Sequence, residues 1–306
     1  MLPEHLKSPT AVVCHDAGAA NLVFAWLRDW PYRGLLDQHE FRLVLQGPAL
    51  VAWHAQALAL PNMQLHTELH TALAGAQCVL TGTGWASHLE HDARKLASLL
   101  HIPSIAVIDH WVNYLPRFER AGEVVLPDTI WVSDPYAATM ATQVFKSIPV
   151  IELPNVYLQN MVKSIAPVPK NCRNLLYVLE PIRNDWGRGI AGEFQALDFF
   201  AQHLPTVVGP NPVHISLRPH PSDAPGKYDD WIRAHAHLNV DLDEHPSLNQ
   251  AIEHAQWVVG AETFAMVVAD AAGRQTYSSL PPWAPPCSLP QTSIKYLRDL
   301  VGARKG

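Results

Sequence analysis

Short apolar runs alternate with longer amphipathic segments along almost the whole chain, and this alternation restricts the fold more than any other feature. AVVC (11–14), FRLVLQ (41–46), QCVLTG (77–82), SIAVID (104–109) and TIWVS (129–133) read as strands. Between them NLVFAWLRDW (21–30), LVAWHAQAL (50–58), SHLEHDARKLASLL (87–100) and DPYAATMATQVF (134–145) read as helices. In the third of these, apolar side chains recur at Leu89, Ala93, Leu96, Leu99 and Leu100, and Glu90 stands four residues before Arg94 as a supporting pair. Asp134 is placed to cap the fourth, with Pro135 in its first turn. Strands that alternate with helices predict a mostly parallel, doubly wound sheet.

The period is lost at MVKSIAPVPKN (161–171), which carries two prolines and reads as a linker, and then the pattern restarts. NLLYVLE (174–180), VHISLR (213–218), LNVDL (238–242), QWVVG (256–260) and RQTYSSL (274–280) are the strand-like runs of the second half. AGEFQALDFFAQHL (191–204), KYDDWIRAHA (227–236), SLNQAIEHA (247–255) and TFAMVVADAA (263–272) are its helices, and SIKYLRDLVG (293–302) reads as a last one. A chain of 306 residues exceeds what one core usually serves, so two domains fit the restart. The expected division is 1–160, 161–285 and a crossing segment with a helix at 286–306. The fold class is therefore α/β, with two tandem Rossmann-like parallel-sheet domains facing a cleft lined by the carboxyl ends of both sheets.

Charge and cysteine usage narrow the function classes. A net charge of −6 lacks the basic excess of a nucleic-acid binder. Cys14, Cys78, Cys172 and Cys287 lie far apart without a CxxC pair, which predicts neither a disulfide framework nor a zinc site; Cys14 and Cys78 read as small core residues. The first ten residues, MLPEHLKSPT, show no charged and apolar leader pattern, and no apolar stretch reaches the roughly 18 residues of a membrane span. A cytoplasmic protein is expected.

SLRPHPSD (216–223) is the first stretch that carries chemistry. Val213, Ile215 and Leu217 alternate with polar residues as in a half-buried strand, and Pro219 and Pro221 end the ladder at about Arg218. A cation and an imidazole, His220, thus stand on a stiffened turn at the carboxyl end of a strand. Such groups, with the backbone N–H groups of the helix opened by Thr263, suit a bound phosphate and the charge that builds as it leaves. The structural alternative is a turn histidine and an arginine paired to Asp223.

The order strand, RPHP, helix, strand, acidic turn, helix, and then WVVGAETFAMVVADAAGRQ resembles the donor-binding domain of GT-B glycosyltransferases, over about residues 172–280. Within them it is most similar to bacterial sialyltransferase-type enzymes that use CMP-activated nonulosonic acids. The resemblance implies that His220-Pro221 and Glu262-Thr263 contact the donor phosphate region and that transfer is inverting and metal-independent, without a cofactor beyond the donor. It also implies a donor base near Asp243 and Glu244. Glu180 and Arg183, on the loop after the 174–180 run, border the same expected site; Arg183 is placed to meet a donor carboxylate or to stay solvated. Glu262 reads either as a favourable acid at a helix start or as a ligand for ribose hydroxyls. Asp241-Leu242-Asp243 spells DxD, but Asp241 falls inside a strand and the pattern is set aside as a metal site.

The first half is left with the acceptor and the base. CHDAGAAN (14–21) puts Asp16 and Gly18 after the first strand, Asp16 either as a helix cap or as a general base. TGTGWASHLEHD (81–92), with Trp85, forms a second small-residue turn that exposes backbone to a ligand or packs tightly. IDHWVNYLPRFER (108–120) offers Asp109 and His110 as a second base candidate, and Trp111, Asn113, Tyr114 and Arg117 as a sugar-binding group or as an aromatic cluster under a loop. The resulting expectation is transfer of a sialic- or pseudaminic-type acid from CMP to a glycan, lipid-linked or protein acceptor, with peripheral membrane contact allowed. The alternatives are a UDP-sugar transferase, a UDP-sugar 2-epimerase-like enzyme, or a non-catalytic sugar-nucleotide-binding protein on the same fold.

Overall fold

Parallel strands buried on both faces need apolar side chains at successive positions, and the first strand shows why such runs hold a sheet centre. Val12 and Cys14 pack with one set of core residues and Ala11 and Val13 with another, all fully buried. The computed structural model describes residues 6–29, 39–56 and 62–303. Positions 30 and 57–58, which the sequence adds to two helices, and the leader reading of residues 1–5 lie outside the described residues.

The chain divides into two compact units, residues 1–157 and 158–306. The first contains β1 (Thr10–Cys14), α1 (Ala17–Asp29), β2 (Phe41–Leu45), α2 (Gly47–Gln56), β3 (Met63–Leu65), α3 (Leu69–Leu73), β4 (Cys78–Thr81), α4 (Leu89–Leu99) and β5 (Ser104–Val107). A 3-10 turn at Pro116–Phe118 leads to a small antiparallel hairpin, β6 (Glu119–Arg120) and β7 (Glu123–Val124). β8 (Thr129–Val132), α5 (Pro135–Val144) and β9 (Val150–Glu152) complete it, and α6 (Val156–Lys163) spans the division. The seven-stranded sheet is parallel in the order β3-β2-β1-β4-β5-β8-β9. Asp134 caps α5 as expected, its Oδ1 accepting the Ala137 N–H at 2.8 Å.

The second unit contains β10 (Asn174–Val178), α7 (Gly192–Gln202), α8 (Leu204–Val208), β11 (His214–Arg218), α9 (Asp229–Ala234), β12 (Val240–Leu242) and α10 (Leu248–Glu253). It continues with β13 (Trp257–Gly260), α11 (Phe264–Ala271), β14 (Gln275–Ser278), β15 (Lys295–Tyr296) and α12 (Leu297–Gly302). Its six-stranded sheet is parallel in the order β12-β11-β10-β13-β14-β15. Leu175, Tyr177, Ile215, Leu217, Trp257, Val259 and Tyr277 form the core of one face with α7, α8 and α12.

Three expectations change. The linker reading of 161–171 is cut short because α6 continues to Lys163. The last helix begins only at Leu297, because Lys295 and Tyr296 pair with Tyr277 and Ser278 and extend the sheet by one strand. On α4 Leu89 and Ala93 are buried as expected, but Glu90, His91, Arg94 and Ala97 are buried with them, whereas Leu99 is 69% exposed. Glu90 and Arg94 are therefore not a surface pair: both are buried, and each is satisfied by groups of the loops beneath it. Among the described residues no helix is long and apolar enough to cross a membrane, and Cys14 and Cys78 are buried free thiols.

Gly260 shows how closely β13 lies against β10. A Cβ there would stand 2.8 Å from Val178 Cγ2 and 2.9 Å from the Val178 carbonyl oxygen, with Met266 Sδ at 3.0 Å. Gly260→Ala is expected to lower the unfolding free energy by about 1–3 kcal/mol, the usual range for overpacking. Chemical denaturation measures it, and an unchanged midpoint would contradict this account of the β10–β13 contact.

Candidate functional site

In an open parallel sheet the connections leave two neighbouring strands in opposite directions where the strand order reverses, and a crevice opens at their carboxyl ends. The first unit reverses between β1 and β4, the second between β10 and β13. The sequence candidates cluster around these two points.

In the first unit β1 delivers His15 and Asp16, and β4 delivers Gly82, Thr83 and Gly84. His15 Nδ1 and Asp16 Oδ1 are 2.8 Å apart. A Cβ on Gly84 would lie 2.0 Å from Asp16 Oδ2, and one on Gly18 would lie 1.7 Å from Asp109 Oδ2. Both carboxylates are thus seated against glycine Cα atoms, Asp109 directly over the first turn of α1. Asp16 keeps 30% and Asp109 20% of its side chain exposed.

Glu90 holds this arrangement from below. Its Oε1 accepts the His15 N–H at 2.9 Å and its Oε2 the Gly84 N–H at 2.6 Å, so one buried carboxylate ties the ends of β1 and β4 together. Burial pushes its pKa up, against the two amides that pull it down; Asp16 adds to the rise and Arg94 opposes it. Arg94 donates to Thr81 Oγ1 and the Gly82 carbonyl, both at 3.0 Å, and burial lowers it to about 10. Arg117 braces Asp109: its Nη1 stands 3.4 Å from Oδ1 and from the Thr83 carbonyl, and its Nε donates to the Val112 carbonyl at 3.0 Å.

The aromatic platform expected at 111–118 is not open. Trp111 and Tyr114 are 5% and 4% exposed; the Trp111 indole N–H donates to Asp134 Oδ2 at 3.0 Å, and Tyr114 packs towards Phe145. Arg117 is likewise enclosed rather than free for an acceptor. His110 accepts the Trp111 N–H on Nδ1 at 2.9 Å. Asn113 is exposed in the left-handed region at φ 58°, and Trp85 is 47% exposed with the Arg117 guanidinium over its ring at 5.4 Å. His15 was not singled out in the sequence, and Glu90 only as the helix partner of Arg94; the signal for its burial is its i, i+3, i+7 spacing with Ala93 and Ala97.

In the second unit Arg218, Pro219, His220, Pro221 and Thr263 line one cavity of about 250 Å³ together with Val178, Leu179, Leu248 and Ala265. Thr263 caps α11, its Oγ1 accepting the Ala265 N–H at 3.4 Å. Arg218 is not paired to Asp223. Its Nη1 binds the Asp243 carboxylate and donates to the His245 carbonyl at 3.0 Å. Asp243, expected near a donor base, is only 1% exposed at its side chain and is consumed by Arg218 and His245. Asp241 pairs instead with His214 at 2.9 Å, so the DxD residues serve different partners.

Glu180 and Glu262 meet at the reversal point itself. Glu180 Oε2 accepts the Glu262 N–H at 3.2 Å, and Glu262 Oε2 accepts the Ser288 N–H at 2.8 Å. Burial, reinforced by the Glu262 charge and opposed by the Glu262 N–H, pushes the Glu180 carboxyl up to about 7. Arg183 lies exposed on the loop after β10, outside the cavity lining.

No protein-family model matches the sequence, and no curated protein matches it. Solved structures do. The chain is similar to the UDP-GlcNAc 2-epimerase of Neisseria meningitidis bound to UDP-GlcNAc, with 13% identity, TM-score 0.59, and 97% of this chain and 90% of that one covered. It is similar to S. aureus MnaA with UDP, with 10% identity, TM-score 0.61, and 97% and 87% covered. It is also similar to the glycotransferase of kitacinnamycin, with 15% identity, TM-score 0.54, and 96% and 89% covered. At these identities the likeness establishes the fold: two Rossmann-like parallel-sheet units in tandem, of the GT-B type.

Proposed function

We propose that the protein is an enzyme that binds a UDP-sugar through the second unit and inverts its C2 centre. The observation that carries the reading is the second-unit cavity, where Arg218, His220 and the capped start of α11 converge beside apolar Val178, Leu179 and Leu248. Cationic and N–H groups suit a diphosphate, and the apolar wall suits a base. UDP is preferred to the CMP that the sequence resemblance implied, because neighbours of this fold are described with UDP and UDP-GlcNAc.

Inversion at C2 removes the C2 proton while its electron pair forms a C1–C2 double bond and expels UDP from C1; UDP then adds back at C1 as a proton is delivered to the opposite face of C2, which calls for a proton acceptor and a proton donor. Asp16 and Asp109, each seated on its own glycine, supply such a pair, whereas transfer to an acceptor hydroxyl needs one base. Glycosyl transfer from the same donor is the second reading, favoured by exposed Trp85 beside Arg117 as an acceptor platform. Glu180 and Glu262 fit the ribose hydroxyls in either case. Neither reading requires a metal or a resident cofactor.

Incubating the protein with UDP-GlcNAc and following the sugar by NMR tests the reaction. A C2 epimer formed without acceptor and unaffected by EDTA is expected; UDP release only when an acceptor glycan is present would replace inversion by transfer. Binding of CMP but not UDP would return the donor to the CMP-sugars. His220→Ala is expected to weaken UDP binding about 10- to 100-fold, the loss of one hydrogen bond to a charged group. Asp16→Asn is expected to lower kcat by about 100-fold or more with UDP affinity unchanged.

Glu180 also gives a pH dependence. Its carboxyl moves from the ordinary 4.5 to about 7 in the folded protein, so the native state holds a proton that the unfolded chain has released. Stability therefore falls as pH rises from about 4.5 to about 7 and levels off above. Glu180→Gln should flatten that part of the stability curve; an unchanged slope in denaturation measured across this range would show that the raised carboxyl is not real.

A further inference from the structure

The turn that follows β11 carries more order than a phosphate contact at its tip requires. His220 N–H donates to Asp223 Oδ2 at 2.9 Å, and Asp223 N–H returns a bond to the His220 carbonyl at 2.8 Å. On the imidazole, Nδ1 lies 3.2 Å from the Ser222 backbone nitrogen and 2.7 Å from Ser222 Oγ. A backbone N–H can only donate, so Nδ1 is the acceptor and the neutral ring carries its proton on Nε2.

Asp223 is anchored in turn. Its side chain is 3% exposed, and besides His220 it accepts the Tyr228 hydroxyl at 3.0 Å and the Lys227 ammonium at 2.6 Å. Lys227 reaches on to Glu193 Oε1 of α7 at 2.9 Å, and Tyr228 is a fully buried member of the core. Burial alone would raise the Asp223 carboxyl, but Lys227, the His220 N–H and Tyr228 outweigh it and hold it below the usual range. Through these contacts an exposed loop is tied to the helix and core behind it.

We infer that Ser222 and Asp223 are positioning residues that present His220 to the cavity as a fixed Nε2–H donor for the oxygen of a phosphate group. The inference rests on the proposed UDP-sugar reading for its ligand, though not for its geometry. A donor whose tautomer and backbone are set before binding loses little freedom when the anion arrives, so the network acts on affinity without touching the ligand.

The test uses the full chain in two parts. Without ligand, long-range ¹H–¹⁵N correlation of the His220 ring is expected to show the Nε2–H tautomer, and to show it still in Ser222→Ala, an exposed change that keeps the backbone N–H on Nδ1 and removes only the Oγ contact, with unaltered circular dichroism. An Nδ1–H ring in either protein overturns the inference. In UDP titrations Asp223→Asn and Ser222→Ala should each weaken binding about tenfold, with Ser222→Thr restoring it. If the parent shows the fixed tautomer but binds no UDP, the proposed function falls and the positioning role stands. If UDP binds equally well to parent and both variants, the positioning role falls alone.

Discussion

A parallel sheet must send its connecting helices to one face or the other, and where it changes face two strand ends stay uncovered. Both units of this chain are organised around that constraint, at β1–β4 and at β10–β13. The uncovered ends leave backbone N–H groups and helix starts unpaired by the sheet, and polar side chains gather there because the interior offers them no other place. Glycines at 18, 84 and 260 then let carboxylates or neighbouring backbone approach within distances that any Cβ would block.

The polar groups near these ends are held by other buried polar groups, and each holding group is satisfied. Glu90 spends both oxygens on the amides of His15 and Gly84; Asp243 spends its own on Arg218 and His245; Asp223 takes His220, Lys227 and Tyr228. Buried charges with unmet bonding would cost several kcal/mol each, whereas these use their desolvation to fix direction. The consequence is a division of labour: the side chains that stay partly exposed, Asp16, Asp109, Arg218 and His220, are oriented by ones that are not.

Most of the strand and helix order was legible in the sequence because apolar periodicity records which faces are buried; β3, α3, β9, α6, α8 and β15 escaped it, being short elements in which a period has little room to show. The end of β11 was legible because Pro219 cannot donate to a ladder, and Thr263 as the cap of α11 because its hydroxyl has a local partner. What escaped the reading was polar burial. Glu90 and Arg94 look like a solvent-facing pair at i, i+4, and only the loops from β1 and β4, distant in sequence, turn that face inward. Trp111 and Tyr114 misled in the opposite sense, since an aromatic residue beside polar ones has the same spelling in a binding platform and in a core. Asp243 and Asp223 exchanged roles as partner of Arg218 for a related reason: β11 and β12 pair side by side, which brings Asp243 to Arg218, while the turn after Pro221 carries Asp223 towards Lys227 and Tyr228.

The two sites differ in the sign of what they offer, and this decides which ligand group each can take. The first unit presents two partly exposed carboxylates at the start of α1, with Arg117 already engaged by Asp109 and by carbonyls. A diphosphate brought there would meet like charge at close range in a partly desolvated setting, a penalty that one helix dipole does not offset. The second unit presents Arg218, an imidazole N–H and the capped start of α11 around a half-apolar cavity, where the same diphosphate is attracted. In the proposed reading the cationic groups of the second unit therefore suit the nucleotide and the carboxylates of the first suit proton transfer, and the reverse would set each chemical group against the charge that opposes it.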